Sequence, residues 1–124
     1  MNTRPIFAAW LLAALVWVPV ARAETPVAVQ NEVSFLLGYV AGSGCEFNRN
    51  GTWYDSKAAH AHLREKYKFL VDNNLVNTTE QFIDRAASQS SMSGTPYQIR
   101  CRGGAAVTSE RWLRERLAEL RAVQ

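Results

Sequence analysis

Apolar residues recur every three or four positions in four stretches of the chain, and this spacing predicts four amphipathic helices. The first covers residues 26–41, the second runs from Asp55 to about Asp72, the third begins at Thr78, and the last begins at Thr108 or Ser109. The residues predicted to face the core are Val29, Val33, Leu36, Leu37 and Val40, then Ala59, Leu63, Tyr67 and Leu70, then Phe82, Ile83 and Ala86, and finally Trp112, Leu113, Leu117, Leu120 and Val123.

Between the helices, shorter segments carry strand signals. Residues 45–49 and 52–54 flank Asn50-Gly51, the dipeptide that best fits a two-residue hairpin turn because both central residues need positive φ. Residues 96–101 predict a third strand, after a serine-rich turn over 88–94 and before a flexible break at Gly103-Gly104. The predicted order is therefore α-β-β-α-α-β-α, a small α+β domain with one three-stranded antiparallel sheet packed with helices.

The amino-terminal residues have the features of a secretory signal peptide. Arg4 precedes an apolar run from Ile6 to Val18, Pro19 ends that run, and Ala21-Arg22-Ala23 is a small-x-small cleavage motif. The alternative, an uncleaved anchor, is disfavoured because the run is shorter than the roughly 20 apolar residues that span a bilayer. We therefore expect residues 1–23 to be cleaved and residues 24–124 to form a single exported domain without an integral membrane span.

Signal cleavage would reduce both the length and the net charge of the chain, and this narrows the classes of protein that the sequence fits. The remaining 101 of 124 residues are too few for a multidomain enzyme, a dinucleotide-binding fold or a TIM barrel. The whole chain has 14 basic and 11 acidic residues, and because Arg4 and Arg22 would leave with the signal, the formal charge falls from +3 to +1. With both signs interspersed, no nucleic-acid partner is expected.

Two cysteines, Cys45 and Cys101, lie in the predicted exported part. A lone pair in an oxidising compartment predicts a disulfide. The alternatives are a metal site and a reactive thiol. A metal site is disfavoured because His60 and His62 are the chain's only histidines, and residues two apart on a helix point about 200° from each other. We expect no metal and no cofactor.

Polar residues from three segments form the candidate binding site. We expect Arg49, Asn50, His62, Lys66, Ser91 and Ser93 to converge if the hairpin tip and the serine turn lie beside the second helix. Cations and hydroxyls suit an anionic or sugar-like ligand, and Trp53 or Tyr97 would supply a stacking face. Three of these residues also have a purely structural explanation. Asn50 suits the conformation of the turn, Arg49 suits a strand position that faces solvent, and His62 suits a semi-buried position at the margin of the core.

Catalytic motifs are not evident in the sequence. There is no Gly-x-Ser-x-Gly elbow, and no acidic residue is singled out as the partner of His62. A Ser–Lys pair that uses Lys66 is conceivable, but the serine run is explained more simply by a helix end and a turn. We therefore predict no catalytic residue.

Several motifs together resemble a known family. They are Phe47-x-Arg49-Asn50-Gly51, His62-Leu63 within a helix, Thr79-x-Gln81-Phe82-Ile83, and Ser88-x-Ser90-Ser91-x-Ser93-Gly94-x-Pro96-Tyr97. Their order and spacing resemble the YfeK-like small periplasmic proteins of Gram-negative bacteria, a domain of unknown function, over about residues 30–117. The resemblance implies a periplasmic location and a compact single domain. It implies no activity and no catalytic residue.

Three functional hypotheses follow. The first is a non-catalytic binding module for an envelope protein or an anionic or sugar-like ligand. The second is an envelope enzyme that uses His62 as acid or base on peptidoglycan or a peptide; it requires a concave pocket with a second polar group within about 3 Å of His62. The third is a subunit that docks through an apolar face containing Phe35 and Tyr39.

Overall fold

The computed structural model describes residues 2–5, 8–17 and 24–124. Within them the chain forms four α-helices, a π-helical turn that extends the third helix, and four short strands. The elements are α1 (Val27–Gly42), β1 (Glu46–Arg49), β2 (Thr52–Tyr54), α2 (Ser56–Asp72), α3 (Thr79–Phe82) with its π-helical turn (Ile83–Ala87), β3 (Gln98–Arg100), β4 (Val107–Thr108) and α4 (Ser109–Ala122).

Side-chain caps set the starts of three helices. Asp55 Oδ1 accepts a hydrogen bond from the Ala58 amide at 2.8 Å at the start of α2. Thr78 accepts from the Gln81 amide at the start of α3, and Thr108 accepts from the Arg111 amide at the start of α4. Each cap pairs an amide that would otherwise lack an intrahelical partner, so these residues determine where the chain turns helical.

The antiparallel sheet has the order β2-β1-β3-β4. The α+β class is confirmed, but the prediction of three strands is wrong, because Val107–Thr108 forms a fourth strand opposite Gln98–Ile99. This strand is only two residues long and runs directly into α4. Its length gives no alternating pattern, and the Gly103-Gly104 segment before it is the turn of a β3–β4 hairpin.

One hydrophobic core lies between the sheet and the helices. Its fully buried side chains come from α1, α3 with its π-helical turn, β3 and α4, and the largest are Leu36, Phe82, Ile83, Ile99 and Leu113. Tyr67 of α2 packs edge-on against Phe82, with ring centroids 5.4 Å apart. The helical faces predicted from spacing are therefore the faces that pack, with one exception. Val123 was predicted to face the core, but α4 ends at Ala122 and Val123 is 83% exposed.

A disulfide joins Cys45 to Cys101 across 56 positions of sequence, as predicted. Cys45 precedes β1 and Cys101 follows β3, and these two strands are neighbours in the sheet. Cys45 is buried in the core and Cys101 packs against it. The bridge therefore ties the start of β1, the strand that carries Arg49, to the end of β3.

The predicted cleavage motif at Ala21–Ala23 lies outside the described residues. Residues 8–17 have no regular secondary structure, and their large apolar side chains are exposed. At the start of the predicted exported part, Thr25 is buried and its hydroxyl donates to the Val76 carbonyl at 3.0 Å. Among the described residues, no helix combines the length and apolar character that crossing a bilayer requires.

The hairpin turn depends on backbone conformations that few residues adopt. Asn50 has φ 52° and Gly51 has φ 86°. An L-residue at Gly51 is strained, so Gly51→Ala should lower the free energy of unfolding by about 1 kcal/mol. Gly38→Ala is the matched control: Gly38 lies within α1 and a Cβ there would meet no atom within 4 Å. That change should stabilise by about 0.5–1 kcal/mol, and urea unfolding of both variants checks the pair. Equal effects of the two substitutions would contradict this account of the turn.

Candidate functional site

The β1–β2 hairpin and α2 form the walls of the candidate site. Because Phe47 pairs with Tyr54 and Arg49 with Thr52, the side chains of Phe47, Arg49 and Tyr54 share one face of the sheet. On α2, His62 and Lys66 are one turn apart and share a face. The packing of α2 on β1 brings the two faces together, as the candidate-site hypothesis required.

Four side chains form a hydrogen-bonded group that we call the cationic cluster: Arg49, His62, Lys66 and Tyr97. Arg49 Nη1 lies 2.7 Å from His62 Nδ1, and His62 Nε2 lies 3.3 Å from the Tyr97 hydroxyl. Lys66 Nζ donates to the same hydroxyl at 3.2 Å and to the Gln89 carbonyl at 3.3 Å. The Arg49 guanidinium also lies over the Tyr54 ring, 5.0 Å from its centroid. The cluster thus joins β1, α2 and the segment before β3.

The protonation of His62 follows from its neighbours. A guanidinium only donates hydrogen bonds, and Arg49 Nη1 lies 2.7 Å from Nδ1 but 3.3 Å from Nε2, so we take Nδ1 as the acceptor. We therefore assign the proton to Nε2, from which it points to the Tyr97 hydroxyl oxygen. That oxygen then accepts from both His62 and Lys66, and its own proton is left to donate to a further group. The cluster has spare donors and, in its described surroundings, no spare acceptor.

Burial and charge act together on the titration of the cluster. Burial lowers the pKa of His62, and the positive charges of Arg49 and Lys66 lower that pKa further. The pKa of Lys66 is also lowered, chiefly by burial and then by Arg49. Burial raises the pKa of Tyr97, against the opposing effect of Arg49. At neutral pH the cluster therefore holds a neutral imidazole, a protonated phenol and two cations.

Arg49 and Lys66 have no carboxylate partner among the residues that the structure describes. Within the described part of the chain, the ion pairs all involve arginines other than Arg49, and Lys66 is in none of them. The contrast with α4 is sharp, since Arg114 and Arg121 there each bind two carboxylates. Partly buried cations without a counter-charge are unfavourable, and the aromatic faces of Tyr54 and Tyr97 offset only part of this cost.

Beside the cluster lies a cavity of about 200 Å³, which we call the β1–α2 cavity. Its walls are mainly apolar, and Arg49, His62 and Tyr97 contribute polar groups to them. The lining residues are Phe47, Asn48, Arg49, Tyr54, Ala58, Ala59, His62, Leu63, Tyr97 and Ser109. The surface around His62 is therefore concave and has a polar group within about 3 Å. It fits a small ligand better than the flat face of a protein partner.

The serine turn contacts the hairpin tip, and the polar side chains of the two segments form hydrogen bonds with each other instead of facing the cavity. Asn50 donates to the buried Ser90 hydroxyl at 3.2 Å and accepts from the Ser93 hydroxyl at 2.6 Å. Ser93 also accepts from the Thr95 amide. Ser91 is exposed, and none of the described side-chain hydrogen bonds includes it. The structure thus places Asn50 and Ser93 in a network that holds the turn on the hairpin, next to the cavity but outside its lining.

Trp53 is the predicted site residue that the structure places elsewhere. It pairs with Asn48, on the sheet face opposite Phe47 and Arg49, and its ring stacks under the Arg100 guanidinium at 3.9 Å. The aromatic side chain that faces the cavity from β2 is its neighbour Tyr54. The sequence analysis did not identify Tyr54 as a site residue. A signal was present, because a two-residue turn at Asn50-Gly51 pairs Tyr54 with the apolar Phe47 and so places both side chains on the same face of the sheet. Gln89, whose carbonyl binds Lys66, had no such signal.

Two other predicted features have clear positions. Phe35 and Tyr39 are 40% and 38% exposed on α1, and the Tyr39 ring packs edge-on against Trp112 of α4. Part of that aromatic face is thus packed within the domain.

Over the described ranges, no group of three or more His, Cys, Asp or Glu side chains is arranged to hold a metal ion.

Comparisons with known proteins follow the same boundaries as the fold. Residues 27–121 match the model of a family of unknown function, DUF5329. The chain is also 45% identical over 51 residues to the uncharacterised protein YfeK of Salmonella typhimurium, a stretch that covers 41% of each of the two proteins. No solved structure matches the chain significantly.

Proposed function

The chain belongs to the DUF5329 family, whose function is unknown, and we propose that it is an exported, non-catalytic binding module whose ligand is an organic anion held in the β1–α2 cavity. The observation that carries this proposal is the pair of cations in the cationic cluster, Arg49 and Lys66, neither of which forms an ion pair with a carboxylate in the described part of the chain. A ligand anion supplies the missing negative charge, and the spare proton of Tyr97 gives it a directed hydrogen bond.

Export is part of the proposal. The apolar run from Ile6 to Val18 and the small-x-small motif at Ala21–Ala23 support secretion across the inner membrane. The disulfide between Cys45 and Cys101 is typical of a protein that matures in an oxidising compartment such as the periplasm. An envelope ligand that is small, anionic and partly apolar is consistent with that location.

Titration of the full chain with acetate, inorganic phosphate and phenylacetate tests the proposal. Chemical shifts of backbone amides locate the site. We expect at least one organic acid to bind, with the largest shifts at Arg49, His62 and Tyr97, and to be recovered unchanged after long incubation. Shifts spread over the surface without saturation, or confined to residues away from the cavity, would contradict the proposal.

A second candidate function is acid–base catalysis by His62. The specific observation in its favour is the neutral imidazole in a concave site, 3.3 Å from a phenolic hydroxyl. Two features favour binding instead. Both ring nitrogens are already engaged within the cluster, and no carboxylate lines the cavity to orient a histidine base. Turnover of a peptide or peptidoglycan fragment that is lost in His62→Gln would establish the enzyme in place of the binding module.

A further inference from the structure

We propose that the ligand of the β1–α2 cavity is a carboxylate that carries one benzene-sized apolar group. This inference rests on the proposed function and names the class of anion. Two observations support it: the volume and apolar walls of the cavity, and the number of hydrogen-bond donors in the cationic cluster.

The cavity limits the apolar part of the ligand. Its volume is about 200 Å³, and Phe47, Leu63 and two alanines of α2 form apolar walls, together with the Tyr54 ring. A protein cavity of about 150 Å³ with apolar walls is large enough to bind benzene. One aromatic ring or one branched aliphatic group therefore fits, whereas a disaccharide or a nucleotide does not.

The donors limit the anionic part. Tyr97 is only 6% exposed and has one hydroxyl proton to give. Arg49 is the cation of the cluster that lines the cavity, whereas Lys66 donates to the Tyr97 hydroxyl and is not among the lining residues. One cationic group and one hydroxyl match the single charge and two oxygens of a carboxylate. A phosphate ester has three terminal oxygens and up to two charges, and a single cation on the cavity wall would leave part of that charge unpaired.

Two sources present this chemistry: a free aromatic or branched acid, and the carboxyl-terminal residue of a peptide with an apolar side chain. Both place a carboxylate one or two bonds from an apolar group. The distinction is whether the cavity also accepts the chain that precedes a terminal residue, and the probes below separate the two.

Isothermal titration of the full chain at neutral pH provides the test. The probes are phenylacetate, acetate, inorganic phosphate and the neutral isostere phenylacetamide. We expect phenylacetate to bind at least tenfold more tightly than each of the others, because only phenylacetate both fills the cavity and pairs with Arg49 on its wall. N-acetyl-phenylalanine and a tripeptide that ends in phenylalanine, each beside its amide, then show whether a peptide terminus is accepted as well as a free acid.

Tyr97→Phe provides the matched variant. Loss of its hydroxyl should weaken phenylacetate binding about tenfold, the usual effect of a hydrogen bond to a charged group. Tyr67→Phe, a partly buried tyrosine elsewhere on the domain, should leave binding unchanged. The melting temperature of each variant checks that both remain folded.

The outcomes separate the two proposals. If phosphate or acetate binds as tightly as phenylacetate, the inference that the ligand is a carboxylate with an apolar group is wrong, while the proposal of an anion-binding module is still supported. If phenylacetamide binds as tightly as phenylacetate, or no anion binds at all, both proposals fail. If phenylacetate is preferred but Tyr97→Phe and Tyr67→Phe behave alike, the assigned donor is wrong and with it the inference.

Discussion

Replacement of both cysteines by alanine should lower the free energy of unfolding by about 4 kcal/mol. The bridge closes a loop across 56 positions, and a loop of that size loses about this much conformational entropy in the unfolded chain when it is cross-linked. A domain of roughly 100 residues has only about 5–15 kcal/mol in total. The double variant, Cys45→Ala with Cys101→Ala, should therefore be close to the limit of stable folding.

Urea unfolding of the double variant and of the wild type measures this effect. The wild type in a reducing buffer is the matched control, and it should lose about as much stability as the double variant. A loss below about 1 kcal/mol in both would show that the helices and sheet hold the fold without the bridge. A reduced protein that keeps its stability would also remove one support for the proposed export.

Arg49→Glu should weaken binding of phenylacetate about 100-fold, or about 2.8 kcal/mol, since each tenfold loss of affinity corresponds to 1.4 kcal/mol. The change removes a charge-assisted donor and puts a carboxylate where the ligand's own carboxylate is expected to lie. It should leave the fold intact, because the new carboxylate can pair with Lys66.

Arg64→Glu is the control for this prediction. Arg64 lies on α2, is exposed and does not line the β1–α2 cavity, yet its replacement changes the net charge by the same amount. Its binding constant should stay within about twofold of the wild type at moderate salt, where distant charges are screened. Equal losses in the two variants would mean that binding depends on overall charge and not on the cationic cluster.

Much of the fold could be predicted from spacing because its signals are local. The helix predicted over 26–41 is α1 at 27–42, and Asn50-Gly51 forms the turn of the hairpin. The π-helical turn at 83–87 and the strand at 107–108 could not be predicted. Both depend on how neighbouring elements pack and pair, and neither has a repeat long enough to show in the sequence.

The candidate site was predicted in part for a similar reason. Arg49, His62 and Lys66 were expected to converge, and the structure joins them by hydrogen bonds through Tyr97, which was expected only as a stacking face. Trp53 was predicted as a stacking face, but the register of the hairpin places Tyr54 on the side of the cavity, because the side-chain face alternates with every residue of a strand. The sequence also indicated that cations and hydroxyls would lie together. That no carboxylate of the described residues pairs with Arg49 or Lys66 depends on three-dimensional packing alone.

The pKa of His62, measured by NMR titration of its ring with and without saturating phenylacetate, shows whether an anion binds beside the two cations. Burial and the two cations hold this pKa below the ordinary 6.5 in the free protein, so the folded state loses stability as the pH falls from 6.5 through the folded pKa. A bound carboxylate offsets the cations, so the pKa should rise by several tenths of a unit or more on binding. We expect a pKa below 6.5 in the free protein that rises when phenylacetate binds. A value at or above 6.5 in the free protein, or one that saturating phenylacetate leaves unchanged, would contradict it.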